Sequence, residues 1–141
     1  MHAPRRFMSQ IWANNNVTSY SYLFNVLTAG VSQYIGATHF TEIAFVFCNL
    51  LGNGYNNSVA TPPFLNKPES YSQLARVMTR MWASFIVNQT PNESGVTTLK
   101  WPEYTLDDPQ NIVFDANVTE LAFIEPDTFR AEAIAHMINN A

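Results

Sequence analysis

The chain has 141 residues, of which 47% are hydrophobic and only 13% charged, with a formal net charge of −4. Disorder needs low hydrophobicity and dense charge, so a folded chain is expected, the size of one domain or of part of one. Seven Lys and Arg, scattered along the chain, do not form the basic stripe that nucleic-acid binding requires. No apolar run is long enough for a membrane-spanning helix.

The first residues, Met1-His2-Ala3-Pro4-Arg5-Arg6, carry two arginines. No apolar stretch of signal-peptide length follows them, because Ser9, Gln10 and Asn14-Asn15-Asn16 interrupt it. From Ser19 to Val26, apolar Tyr20, Tyr22, Phe24 and Val26 alternate with Ser19, Ser21 and Asn25, which predicts a strand. Thr28-Ala29-Gly30 breaks it, and a loop runs through Gly36. Glu42 to Leu51 is apolar nearly all round and reads as a short buried helix, with Glu42 in its first turn and Gly52-Asn53-Gly54 as its stop, although apolarity alone also fits a strand.

A loop rich in Asn and Pro follows. Leu74, Val77, Met78, Met81, Phe85 and Ile86 then recur at spacings of three and four, and predict an amphipathic helix over 69–87 with Pro68 and Glu69 at its start. Pro91 to Pro109 is irregular. Asn111–Asp115 reads as a short strand, and Leu121–Ile124 as another. Glu125-Pro126-Asp127 is expected to open a last helix, with Phe129, Ile134, Met137 and Ile138 on its apolar face. Two or three strands and three helices do not close a unit, so the pattern is that of one part of a larger α/β sheet protein.

The chemistry-bearing residues are few. Cys48 is the single cysteine and excludes an internal disulfide; within its apolar run it reads as a small buried hydrophobe. His2, His39 and His136 form no metal-ligand spacing with it or with one another, so a structural zinc site is not expected. The nearest string to a nucleophile elbow, Gly30-Val31-Ser32-Gln33-Tyr34, lacks the second glycine. Trp82, Trp101 and the Met78/Met81 stripe read as core, Glu42 as a helix start and His136 as a helix-face residue. Five Asn-x-Ser/Thr sequons, at Asn16, Asn56, Asn88, Asn92 and Asn117, point to a secreted glycoprotein whose signal peptide is not in this chain. Asn88 is the weakest of the five, because it ends a helix and Pro91 follows its Thr90.

One string stands out: Gly36-Ala37-Thr38-His39-Phe40-Thr41-Glu42-Ile43-Ala44-Phe45-Val46-Phe47. It resembles the region of the catalytic histidine in type-B carboxylesterases and lipases, the cholinesterase-like branch of the α/β-hydrolase fold. Further stretches agree in the family's order. Ala3-Pro4-Arg5-Arg6 through Trp12, then Tyr20-Ser21-Tyr22-Leu23-Phe24, resemble the helix and strand before the histidine loop. Met78 through Phe85 with Trp82 resembles the helix after it, followed by Trp101-Pro102-Glu103-Tyr104. Val113-Phe114-Asp115 through Glu125-Pro126-Asp127-Thr128-Phe129-Arg130 resembles the tail of fungal members.

The resemblance implies that residues 1–141 are the C-terminal part of an α/β-hydrolase domain that needs its own missing N-terminal part. His39 would be the triad histidine of a secreted serine esterase or lipase acting on a small-molecule or lipid ester, without a cofactor. The nucleophilic serine, the triad acid and the oxyanion loop would lie before Met1, in the fold's order Ser, acid, His, and the chain alone would be inactive. Phe40 departs from the pattern, because the family usually has glycine after the histidine. The competing implication is a cholinesterase-like binding module without a working triad, or a truncated remnant.

Overall fold

The computed structural model describes residues 2–55, 61–117 and 119–140. It divides into two compact units, the first of residues 2–23, 101–112 and 124–140, the second of the remaining described residues. The elements in chain order are α1 (His2–Asn14), β1 (Tyr22–Phe24), α2 (Ile43–Val46), α3 (Glu69–Asn88), a 3-10 turn (Pro91–Glu93), β2 (Gln110–Phe114), β3 (Ala122–Pro126) and α4 (Ala131–Asn139). The strands form one sheet in the order β1-β2-β3.

Register follows from the flanking hydrogen bonds. The Ile112 N–H donates to the Ser21 carbonyl at 3.0 Å and the Asn25 N–H to the Phe114 carbonyl at 2.8 Å, so residue numbers rise together and β1 and β2 run parallel. Between β2 and β3 the Asp115 N–H reaches Leu121 at 3.0 Å and the Asp127 N–H reaches Pro109 at 2.8 Å, which is an antiparallel hairpin. A parallel pair needs a long crossover, and residues 25–109 supply it with α2 and α3.

In the second unit the core consists of Val26, Ala44, Phe45, Leu74, Ala75, Met78, Met81, Val113 and Phe114, all at most 1% exposed. The stripe read at spacings of three and four thus delivers Leu74, Met78 and Met81 to the core, and α3 runs from Glu69 as expected. Its far end carries the rest of the stripe, Phe85 and Ile86, out to solvent. Phe45 is the hub, with ring centroids of Phe24 and Phe64 at 5.1 and 4.7 Å. Thr79 donates its hydroxyl to the Phe45 carbonyl at 2.9 Å, a second donor to that oxygen beside the Cys48 N–H, and so ties α3 to α2. Trp82 meets Phe114 at 5.9 Å, consistent with its reading as core.

Three expectations are corrected. The apolar run from Glu42 to Leu51 is helical only over Ile43–Val46. It ends in a Schellman motif, in which Cys48 takes φ 49° and the Cys48 and Asn49 N–H groups return to the Phe45 and Ala44 carbonyls at 3.1 and 2.8 Å. A cysteine therefore fills the left-handed position usually given to glycine, and its side chain is only half-buried. The strand over 19–26 is regular only at Tyr22–Phe24, with Tyr20 bridged to Glu103, and Ser19, Ser21 and Val26 are buried while both tyrosines are only half-buried. The last helix begins at Ala131, because Pro126 closes β3 at the sheet edge, where no N–H is needed, and the Asp127 carboxylate is taken by two arginines.

No helix among the described residues is long and apolar enough to cross a membrane. Tyr34, Ile35, Phe47, Leu51, Ile86 and Val87 are exposed in the second unit. Exposed apolar groups of this size promote association. Expressed alone, the chain is therefore expected to self-associate, as sedimentation velocity would show; a monomer with a sharp cooperative melt would contradict this.

Candidate functional site

His39 lies in the loop between β1 and α2, a short helix whose Ala44 and Phe45 are buried. Thr38 to Thr41 form a turn: the Thr41 N–H and hydroxyl both donate to the Thr38 carbonyl, at 3.4 and 2.7 Å. Phe40 is the third residue of that turn and has φ 75°. A positive φ at this position is the type II pattern, which glycine satisfies without a clash and which costs an L-residue about 1–2 kcal/mol. The backbone thus takes a conformation suited to the glycine expected after the histidine, although phenylalanine stands there.

The Phe40 carbonyl then accepts the Ile43 N–H at 3.2 Å, and the Glu42 carbonyl accepts the N–H groups of Phe45 and Val46 at 3.0 Å. Glu42 is the N-cap of α2 through its main chain only, as a helix-start residue. The buried Ala44 and Phe45 anchor this short helix in the core, and the turn before it presents His39 to solvent beside the Phe40 ring, centroids 6.3 Å apart. The imidazole is thus exposed on a turn anchored by a buried helix, accessible to a bound partner.

The other histidines have local structural roles in the first unit. His2 stacks at a tilt on Phe129, with centroids 4.8 Å apart. His136 sits in the last turn of α4, its Nδ1 3.4 Å from the Asn140 amide. Trp101 is buried and donates its indole N–H to the Ser21 carbonyl at 2.9 Å, so it is core.

The most developed polar constellation among the described residues was not legible as such. The Asp127 carboxylate, with no side-chain exposure, accepts from Arg5 at 2.6 and 2.8 Å, from Arg6 at 2.8 and 3.0 Å and from the Tyr104 hydroxyl at 2.9 Å. Asn111 joins it, accepting from Ser21 at 2.6 Å and from Arg5 at 3.1 Å. Burial alone would raise the Asp127 carboxyl, but hydrogen bonds and charge from Arg5 and Arg6, with the Tyr104 hydroxyl, hold it well below the usual carboxylate range. Burial, then the Asp127 charge, pushes the Tyr104 phenol up to about 12. With every oxygen saturated by protein donors, this cluster fastens α1 to the segment after β3; it offers a substrate no free group. Its signal was the Arg5-Arg6 pair in a chain poor in charge.

Of the sequons, Asn16 is exposed in a left-handed turn and Asn117 is exposed with its Oδ1 accepting from the Thr119 N–H and hydroxyl at 3.1 and 3.0 Å. Asn88 ends α3, Asn92 is half-buried in the 3-10 turn, and Asn56 lies outside the described residues.

Comparison with known proteins places this geometry in context. The family model described as "Carboxylesterase family" matches residues 1–129. Acetylcholinesterase of Bungarus fasciatus is 31% identical over 103 residues, 72% of this chain and 15% of that protein. The medium-chain fatty acyl-CoA hydrolase precursor of Anas platyrhynchos is 31% identical over 100 residues, 68% of this chain and 15% of that protein. Among solved structures, a carboxylesterase of Geobacillus stearothermophilus superposes with TM-score 0.67 at 25% identity over 89% of this chain and 23% of its own. An esterase from Clostridium hathewayi, described as able to hydrolyse aliphatic aromatic polyesters, superposes with TM-score 0.68 at 22% identity over 98% of this chain and 24% of its own, a likeness of fold. The chain thus spans about a seventh of the length of the curated relatives it matches.

Proposed function

Because this chain belongs to the carboxylesterase family and is built as part of an α/β-hydrolase fold, we propose that it is the C-terminal part of a serine esterase or lipase domain and supplies that domain's triad histidine, His39. The observation that carries this reading is the turn at Thr38–Thr41, which exposes His39 in front of a buried helix and keeps a glycine-type backbone at Phe40. His39 would take the proton of a serine hydroxyl as that oxygen attacks the ester carbonyl. It would return the proton to the alcohol oxygen as the acyl C–O bond breaks and its electron pair leaves with the alcohol. A carboxylate elsewhere in the domain would hold the second ring nitrogen and fix the tautomer. Serine and carboxylate belong to the part of the domain outside this chain. No metal or organic cofactor enters this sequence of steps.

The test is complementation. This chain alone should hydrolyse a simple aryl ester no faster than background, and co-expression with the stretch that precedes it in the full-length protein should produce activity. Hydrolysis by the chain alone, or none by the pair when both fold, would refute the assignment.

The sequons support a secreted, glycosylated protein. In a secreting eukaryotic host, glycan is expected at Asn16 and Asn117, where the acceptor amides are exposed, and not at Asn88, ahead of Thr90-Pro91. Intact mass before and after glycosidase, with Asn16→Gln and Asn117→Gln variants, checks this; no mass shift would count against secretion.

A further inference from the structure

Phe40 has no evident reason to be where it is. Its backbone sits in the left-handed region, where only glycine is at ease, and the residue is 56% exposed and so adds little to the core of this chain. Strain of this kind persists where the surroundings impose it, and it concentrates at sites that bind or react. The ring also lies in one particular place, with its centroid 6.3 Å from that of the His39 imidazole and tilted 56° to it.

Resting on the reading of His39 as the general base, we propose that Phe40 is a specificity-determining residue that packs against the alcohol portion of the ester and favours bulky apolar alcohols. The reasoning is geometric. When His39 returns its proton, the alcohol oxygen must lie about 3 Å from an imidazole nitrogen. The substituent on that oxygen, and not the acyl chain, is then the part of the substrate nearest to the residue beside His39. A glycine there leaves open space, whereas a phenylalanine ring offers an apolar face within van der Waals reach of an aryl or long alkyl group on that oxygen. A methyl group is too short to gain much from it. Phe40 would therefore raise kcat/KM for large apolar alcohols relative to small ones and leave discrimination between acyl chains to other residues.

The experiment uses the full-length protein and four esters: methyl and benzyl esters of one acid, and acetate and hexanoate esters of one alcohol. Phe40→Gly removes the ring, and Phe40→Asn removes it while keeping a residue that tolerates positive φ, so loop flexibility is controlled. Both variants should lower the benzyl-to-methyl ratio of kcat/KM about tenfold, the scale on which apolar pocket contacts discriminate. The hexanoate-to-acetate ratio should stay within about twofold. Phe40→Leu, still apolar, should fall between. An unchanged benzyl-to-methyl ratio would overturn the proposal, as would a change in the acyl ratio instead. So would an inactive parent that Phe40→Gly or Phe40→Asn switches on, because the ring would then be a block. His39→Ala separates the two readings. If it keeps full activity, the base assignment fails; if it is silent while the ratios do not move in the Phe40 variants, only the Phe40 proposal fails.

Discussion

Replacing Asp127 by alanine in the full-length protein should cost about 3–5 kcal/mol of stability, the usual penalty for stranding the partners of a buried ion pair. The substitution leaves Arg6 buried without its carboxylate, removes the acceptor of the Tyr104 hydroxyl, and leaves Arg5 with only the neutral acceptors Ser21 and Asn111. Asp127→Asn should cost nearly as much, since shape is kept while the charge that both guanidiniums need is lost. Denaturant unfolding monitored by tryptophan fluorescence reads the loss; a shift below about 1 kcal/mol would mean that the cluster is not the fastening described.

The same cluster sets a pH dependence whose sign is fixed by its two shifts. Asp127 is held below its unfolded value, so its contribution is complete above the ordinary carboxylate range and is lost as pH falls through that range toward its folded value. Tyr104 is raised, so its contribution is complete below about 10, the ordinary phenol value, and is lost as pH rises toward about 12. The contribution of this cluster should therefore be flat from about pH 5 to 9 and fall on both sides. Asp127→Ala should flatten the acid limb, and Tyr104→Phe the alkaline one, at a cost of about 1.5–3 kcal/mol for a hydrogen bond to a charged group.

The elements that were legible in the sequence are those whose partners are close along the chain. Helix α3 announces itself because Leu74, Met78 and Met81 must share a face to reach one core. Strand β2 announces itself by a short apolar run with no room for a helix. What was not legible depends on residues far apart. Asp127 looks like a helix-opening carboxylate, worth about 0.3–1 kcal/mol to a macrodipole, until Arg5 and Arg6 arrive from more than a hundred residues away with several charge-assisted bonds. Ser21 looks like the solvent side of a strand for the same reason, and is buried because Arg5 and Asn111 bond to it. The early end of α2 was hidden differently. A Schellman stop is normally read from a glycine, and here Cys48 adopts the left-handed conformation without one.

The candidate site divides along the same line. The string around His39 shows a histidine between a glycine-containing loop and an apolar helix. The turn that holds it is local, from Thr38 to Thr41, so its residues are all visible in sequence. The positive φ of Phe40 is not visible in that residue's own chemistry; it follows only from the resemblance, which puts a glycine there. The serine and carboxylate that the proposed chemistry needs are not singled out by any motif in this chain; the resemblance implies that they lie elsewhere in the domain.

The measurement that tests the account most directly is the steady-state hydrolysis of a simple aryl ester by the full-length protein and its His39→Ala variant, each shown to be folded. In a serine hydrolase the nucleophile and its base act as a unit, and removing the base lowers turnover by on the order of 10⁴–10⁶. The same assay on His136→Ala, at the exposed last turn of α4, should change the rate by less than tenfold, about 1.4 kcal/mol. The account predicts near-complete loss for His39→Ala with the melting temperature unchanged. Full activity in a folded His39→Ala protein would contradict it.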